Sequence, residues 1–391
     1  MTSGWERTTV GSAFETVTGS TPPKSVAENY GTFISLVKPP ELRDATLDRA
    51  ADGLSAAGAS AARTAPVNSI LVSCIGNLGK VGLNTVPVAF NQQINAILPD
   101  YGKAIPKFMF YQALSDSFRD QLEALATGTT ISIVNKSKFN GIAITIAPLA
   151  EQHRIVGILD EAFEGIATAK ANAEQNLRHA RALYASCLNS EIASCDQRWP
   201  GESIGSVCNT GAGGTPLKSR QEYYDGGTIP WILSGEVAQG EVRSAAHFIT
   251  DAGLRNSSAK VFPQDTVLVA MYGATAGEVG LLKIEAATNQ AVCGIFPSRA
   301  FLPEFLFFVL RSRKEALVAQ AIGNAQPNIS QAKIRSTLVP MVPRALQADI
   351  VSKLHSLSGT VGDLESIYER KIHALDVLKR SLLRKAFSGQ L

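Results

Sequence analysis

The chain carries one ordered set of residues twice, at an offset that drifts only between 194 and 198 positions. Gly11-Ser12 returns as Gly205-Ser206, and Gly19-Ser20-Thr21-Pro22 with Lys24 returns as Gly213-Gly214-Thr215-Pro216 with Lys218. Ile70-Leu71-Val72-Ser73 and Gly76 match Val267-Leu268-Val269-Ala270 and Gly273. Gly79-Lys80-Val81-Gly82-Leu83 matches Gly277-Glu278-Val279-Gly280-Leu281, and Asn91-Gln92 matches Asn289-Gln290. Ile105-Pro106-Lys107-Phe108 matches Leu302-Pro303-Glu304-Phe305. A period this long far exceeds that of a solenoid repeat. It describes two complete domains, each followed by its own tail, and 391 residues is a length at which one core gives way to several.

Each copy reads the same way. A tryptophan (Trp5; Trp199) leads into a Gly/Pro turn cluster, which signals a loop. Short apolar runs bounded by glycine, Ile70–Ile75 and Thr266–Met271, predict strands. A helix is expected through Phe108–Leu125 and again through Phe305–Ile322, then an apolar strand (Ile142–Ile146; Leu338–Val342) ending at Pro148 or Pro343. Beyond those prolines, Ile155, Leu159, Ala162, Ile166, Ala169, Ala173, Asn176, Ala180, Leu183 and Cys187 are spaced alternately four and three apart. Ile350, Leu354, Leu357, Val361, Leu364, Tyr368, Lys371, Leu375, Leu378 and Leu382 repeat that spacing. Spacing of this kind, sustained for about five heptads, predicts a coiled-coil seam in each tail. An ordinary amphipathic helix on a globular core is the alternative, but it needs neither this length nor a shared register.

Composition narrows the chemistry. No run of about 18 apolar residues suggests a membrane span, and the N-terminal residues lack the basic-then-apolar order of a signal peptide. The five cysteines form no CxxC pair and no Cys/His cluster, which argues for reduced thiols, a cytoplasmic setting and no metal site. The formal charge is +3 overall, −1 over residues 1–195 and +4 over 196–391. Strong phosphate neutralisation wants a more basic surface, so a DNA reader of this charge needs a partner. A phosphate-binding loop is missing: Gly76-Asn77-Leu78-Gly79-Lys80 is too short between its glycines, and Val81 follows the lysine. Glu369-Arg370-Lys371 has a nuclease-like E-x-K spacing, but it falls within the second predicted coiled-coil helix and reads as a solvated face. The five histidines are scattered, without a nucleophile or ligand beside them.

Several segments resemble the type I restriction–modification specificity subunits. Pro148-Leu149-Ala150-Glu151-Gln152-His153-Arg154-Ile155-Val156 is similar to the start of that family's first conserved helix. Pro343-Arg344-Ala345-Leu346-Gln347-Ala348-Asp349-Ile350-Val351 is a weaker second copy, with Leu346 in place of a glutamate. The ending from Leu378 to Leu391 and the segment Ile229-Pro230-Trp231-Ile232 with Ser234-Gly235-Glu236-Val237 also resemble the family. The first copy departs there, reading Phe33-Ile34-Ser35-Leu36-Val37-Lys38-Pro39.

The resemblance implies an α+β chain with an internal pseudo-two-fold duplication. Two mixed α/β target-recognition domains, 1–147 and 196–342, are separated by two long helices, 148–195 and 343–391, packed as an antiparallel coiled coil. Each domain would read half of a bipartite double-stranded DNA sequence, and the helices would set the spacer. The implied partners are two methylation subunits and a restriction/translocase subunit. S-adenosylmethionine, Mg and ATP are expected on those partners and no cofactor in this chain, which would itself be non-catalytic. A two-domain coiled-coil scaffold that binds proteins is the alternative; it predicts no DNA sequence preference.

Two domains reading different sequences should share phosphate contacts and differ at base-reading positions. Lys24 and Lys218, and the pairs Asn91-Gln92 and Asn289-Gln290, are therefore candidates for phosphate contact, although the Asn-Gln pairs fit a turn or cap equally well. Arg220 is a further candidate near the second copy's turn. Base-reading candidates are Asn77 and Lys80 against Tyr272 and Glu278, and Lys136 and Lys138 against Gln331 and Lys333, because Asn and Gln suit adenine and Lys suits guanine. Arg243 and Arg255 lie in the more divergent segment 238–263. Gly76 and Gly273 read as tight-turn glycines.

Overall fold

The computed structural model describes residues 4–128, 130–319 and 328–391. They form two compact units, one from residues 1–174 with 369–391 and the other from 175–368.

In the first unit, Glu6–Thr9 pairs antiparallel with Ala143–Ile146. A five-stranded sheet follows in the order Thr16–Thr18, Ile94–Ile97, Ile70–Ser73, Val81–Asn84, Ala45–Leu47, and a four-stranded one in the order Gly53–Leu54, Tyr30–Val37, Val88–Phe90, Thr64–Ala65. The second unit repeats both orders: Thr210–Ala212, Val292–Ile295, Val267–Ala270, Val279–Leu282, Glu241–Val242, then Phe248–Ile249, Ile229–Ile232, Ala286–Thr288, Val261–Phe262. Directions repeat too, with the edge strands Ala45–Leu47 and Glu241–Val242 each joined in parallel. The duplication read in the sequence is therefore a duplication of topology.

The central strands are apolar on both sides because both sides are covered. Ile70 and Val72 enter the cluster around Phe108 and Phe118, whereas Leu71 enters the one around Val37 and Phe90. Val267 and Val269 likewise face Phe305 and Phe308, while Leu268 and Ala270 face Phe262. Two-residue periodicity thus feeds two cores from one strand.

The single helix expected over Phe108–Leu125 is two, Pro106–Ala113 and Asp116–Ala124. Ser115 separates them: its hydroxyl donates to the Gln112 carbonyl at 2.6 Å and accepts from Phe118 N, so the residue that ends one helix caps the next. The second copy breaks likewise, into Pro303–Ser312 and Lys314–Ala319; Ile322, where that helix was expected to end, lies outside the described residues.

The long helices span Leu149–Arg198 and Arg344–Phe387. At 1.5 Å per residue the first is about 75 Å long. Within the first unit, Lys170 pairs with Asp376 at 2.8 Å, and the Lys379 ammonium lies 5.1 Å from the Phe163 ring centre. Within the second, Arg181 pairs with Glu365 at 3.0 Å and Glu191 with Lys353 at 2.5 Å. Rising numbers on one helix meet falling numbers on the other, so the helix segments in each unit run antiparallel.

The seam differs from expectation at alternate positions. Asn176, Leu183, Leu364, Lys371 and Leu378 are exposed, whereas their successors Leu177, Tyr184, Glu365, Ile372 and Lys379 are half-buried. An α-helix of 3.6 residues per turn drifts against a strict 3.5 repeat, and here the drift carries the contact line one residue onward.

Candidate nucleic-acid interface

Four loops meet at one end of the five-stranded sheet in each unit, and hydrogen bonds fix how they meet. In the first unit, Gly19 N donates to Ile94 O and Ser20 N to Phe90 O, which ties the Gly-Ser-Thr-Pro turn to the loop at 91–93. Cys74 N donates to Gln93 O, bringing in the hairpin loop after Ile70–Ser73. Gly76 N donates to Ser132 O and Val134 N to Cys74 O, which adds the fourth loop, described over residues 125–128 and 130–135. The second unit repeats the scheme: Gly213 N to Val292 O, Gly214 N to Thr288 O, Met271 N to Ala291 O, Ile329 N to Met271 O. Both turns require glycine for contact reasons: a Cβ on Gly19 would lie 2.2 Å from Asn91 O, and one on Gly213 would lie 2.3 Å from Asn289 O.

The Asn-Gln pairs are part of this framework. Thr21 Oγ1 donates to Gln92 Oε1 at 3.0 Å, and Thr215 Oγ1 donates to Gln290 Oε1. Asn91 Oδ1 accepts from Gln93 N and Asn289 Oδ1 from Ala291 N. Tyr30 and Tyr224 add a matched brace, each hydroxyl donating to the carbonyl of the turn proline, Pro22 or Pro216. These side chains hold the turn that presents Lys24 and Lys218, both exposed.

Around this shared frame the side chains differ. Asn77 is exposed at the first hairpin tip, where Ser73 Oγ donates to its carbonyl and Gly76 and Gly79 take positive φ of 78° and 74°. At the second tip Tyr272 is exposed and bridges to Asn328, between positive-φ Gly273 and the outer loop. Lys80 is half-buried, and its counterpart Glu278 pairs with Lys314 at 2.5 Å. Lys136 is exposed on the short helix Lys136–Asn140, whereas Lys138 reaches back to Leu125 O at 3.0 Å. Gln331 donates to Thr210 Oγ1 at 2.9 Å, and Lys333 is half-buried on the helix Gln331–Ser336. Arg220 is exposed and pairs with Glu222 at 3.3 Å, and Arg255 ends the helix Asp251–Arg255 packed on that same turn. Arg243 stands apart, following a strand whose Val242 pairs with Leu282, at the opposite sheet end from the hairpin tip; it pairs with Glu241 at 2.5 Å.

Sequence reading missed three features of this end. Arg63 braces the turn, its Nη1 donating to Thr18 O and its N–H to Ser20 Oγ, both at 2.9 Å. Lys38 pairs with Asp52, and Lys38, with a smaller contribution from Lys24, holds the Asp52 carboxyl below its usual range. The third is a pair of exposed isoleucines, Ile131 and Ile133, in the loop beside the hairpin tip. Their alternation with Ser132 was a visible extended-chain signal inside a segment otherwise rich in threonine and glycine.

The sheet region of the first unit is anchored to the long helix Leu149–Arg198 through Gln152 and Tyr111. Tyr111 donates to Asp160, and burial together with that carboxylate pushes the phenol up. A cleft lined by Trp5, Arg7, Gln112, Asp116, Phe118 and Arg384 lies in the first unit, where Arg384 pairs with Asp116 at 3.2 Å. Among the described residues no group of three or more His, Cys, Asp or Glu side chains is placed to hold a metal ion. No helix is long and apolar enough to cross a membrane.

A family model described as the type I restriction modification DNA specificity domain matches residues 2–177 and again 198–369. The EcoR124I/EcoR124II specificity subunit of Escherichia coli is 26% identical over 222 residues, 54% of each chain. The HindI specificity subunit of Haemophilus influenzae is 32% identical over 167 residues, covering 40% of this chain and 36% of the relative. The chain thus spans about half or less of the length of these two relatives. A chain from a solved assembly of a type I R-M system superposes with a TM-score of 0.81 at 17% identity, over 100% of this chain and 99% of that one, which shows the fold.

Proposed function

The chain belongs to the family of type I restriction modification DNA specificity domains, matched over both of its halves, and from that membership we propose that it is the sequence-reading subunit of a type I restriction–modification complex. Each unit reads one half of a bipartite, asymmetric double-stranded DNA sequence. One observation carries this reading: the same four-loop frame is built twice, with matched framework hydrogen bonds and unlike side chains at its tips. Shared backbone grip with divergent base contacts is what two readers of different half-sites require.

The long helices set the spacer and dock two methylation subunits. Exposed apolar side chains along the long helices support docking, namely Ile158, Val377 and Leu378 in the first unit and Leu183, Leu364 and Ile367 in the second, since a protein partner would take such surface out of water. The chain itself is non-catalytic. S-adenosylmethionine belongs to the methylation subunits, and ATP and Mg to a restriction/translocase subunit, all working in the cytoplasm. The net charge of only +3 makes the free chain a weak DNA binder, with salt-dependent affinity that rises when the methylation subunits join.

Methylating a randomised DNA library with the assembled complex, then sequencing the modified sites, tests this. Two short specified blocks separated by a fixed unspecified gap are expected. A continuous site, or no preference, would overturn it.

A further inference from the structure

We infer that Ile131 and Ile133 read the C5-methyl group of thymine in the half-site recognised by the first unit, an inference that rests on the DNA-reading function proposed above. The two side chains are 55% and 40% exposed in a loop whose remaining described residues between Thr127 and Val134 are Gly128, Thr130 and Ser132. Isolated apolar exposure is ordinary on a surface, but this pair is built in place. Ile133 forms antiparallel bridges to both Thr127 and Ile75. Thr127 N donates to Ile133 O at 3.0 Å, Ile133 N to Thr127 O at 2.8 Å, Gly76 N to Ser132 O at 2.9 Å and Val134 N to Cys74 O at 2.8 Å. Gly128 turns the loop at φ 107°, where a Cβ would lie 2.2 Å from Ile131 O. Four backbone bonds hold Thr127, Ser132, Ile133 and Val134 in place, so Ile133 is fixed directly and Ile131 is carried two residues before it. Both are exposed in the loop that Gly76 N ties to the Asn77 tip and that leads into the exposed Lys136.

A backbone already hydrogen-bonded in place loses less entropy on binding than a free one, so the bonded stretch 132–134 suits recognition. On the edge of a base pair in the major groove the donors and acceptors are polar, and the apolar group is the thymine methyl. Flanking Asn and Lys side chains supply the polar contacts, and the isoleucines supply the complement for the methyl.

The test uses the full chain assembled with its methylation subunits and the DNA site obtained from library methylation. Each thymine of the first unit's half-site is replaced in turn by uracil, which removes one methyl and leaves base pairing intact. At one or two positions affinity should fall roughly fourfold, the effect of one buried methyl-sized group. In the Ile131→Ser/Ile133→Ser variant, uracil at those positions should have no further effect, while the second half-site keeps its preferences. Val86→Ser, an exposed apolar position in the same unit, serves as control and should retain the uracil sensitivity. A half-site without a T·A pair, insensitivity to every uracil, or sensitivity that persists in the double variant would overturn the inference while leaving DNA reading intact. Increased 2-aminopurine fluorescence at an opened base step would make the pair a wedge and also overturn it. Absence of any half-site for the first unit would instead sink the DNA-reading proposal and this inference together.

Discussion

Gln152 and Gln347 show how much one amide can decide. Gln152 Oε1 accepts from Ile105 N at 2.8 Å, and its Nε2 donates to Lys103 O and Ala147 O. Gln347 repeats all three bonds with Leu302 N, Ala300 O and Val342 O, and neither glutamine is exposed. Each fastens the turn before a core helix to the start of a long helix. This explains why the glutamine persists in the weaker second copy while the glutamate does not: Glu151, the counterpart of Leu346, pairs with the exposed Arg154 on its own helix. Replacing either glutamine with alanine strands one N–H and two carbonyls and should cost about 3 kcal/mol, read as an earlier urea transition for the unit concerned. Glutamate should not rescue, because it keeps the acceptor and loses both donors. A second residue-scale outcome concerns the thiols. Burial pushes Cys74 and Cys293 from 9.0 up to about 12, so both should resist a thiol reagent at pH 8 until urea exposes them. The sign is fixed: an unfolded thiol ionises from about pH 9, earlier than the native one, so stability is intact below that and declines as pH rises toward 12. Cys74→Ala should flatten that alkaline decline in the first unit, checked by urea midpoints at pH 7 and pH 10.

At the scale of elements, local pattern fixed the type of each segment and tertiary contact fixed its limits. The duplicated strands and both long helices were legible because their apolar spacing is long and repeated. The break at Ser115 was harder to read, since serine in an apolar run signals a cap only once its 2.6 Å bond to Gln112 O is known. The clip between Thr21 and Gln92 joins residues 71 apart in sequence, and a matched Asn-Gln pair therefore fitted both a contact and a frame role. The coiled-coil seam was legible in existence and misplaced at Asn176, Leu183, Leu364, Lys371 and Leu378, where helical drift selects the following residue. That displacement has a measurable consequence. Reversing Lys170→Asp should cost about 0.5 kcal/mol through loss of its half-exposed pair with Asp376, and Asp376→Lys in the same chain should restore it. Leu378→Ser, at an expected seam position that is 46% exposed, should leave the urea midpoint within about 0.5 kcal/mol of the parent and weaken binding of the methylation subunits. A marked loss of stability would return Leu378 to the seam.

At the scale of the whole chain, the two units keep separate cores. Among the described residues, the cluster around Phe108 draws on residues 10–159 with Leu383 and Ala386, and the cluster around Phe308 draws on 188–354. The smaller clusters also stay within one unit each. Chains with separate cores need not unfold in one step. Phe308 is 2% exposed and packs against Phe307 and His355 with ring centres 5.3 and 5.2 Å away. Phe308→Ala should therefore cost about 3–5 kcal/mol, confined to the second unit. Hydrogen exchange should show faster opening in Val267–Ala270 and Val292–Ile295, with protection unchanged in Ile70–Ser73 and Ile94–Ile97. In the assembled complex, at a temperature where only the second unit is loosened, discrimination at one half-site should fade while the other keeps its preference. Equal loss at both half-sites, or one shared unfolding transition, would show that reading is a property of the chain as a whole and not of two separately folded readers.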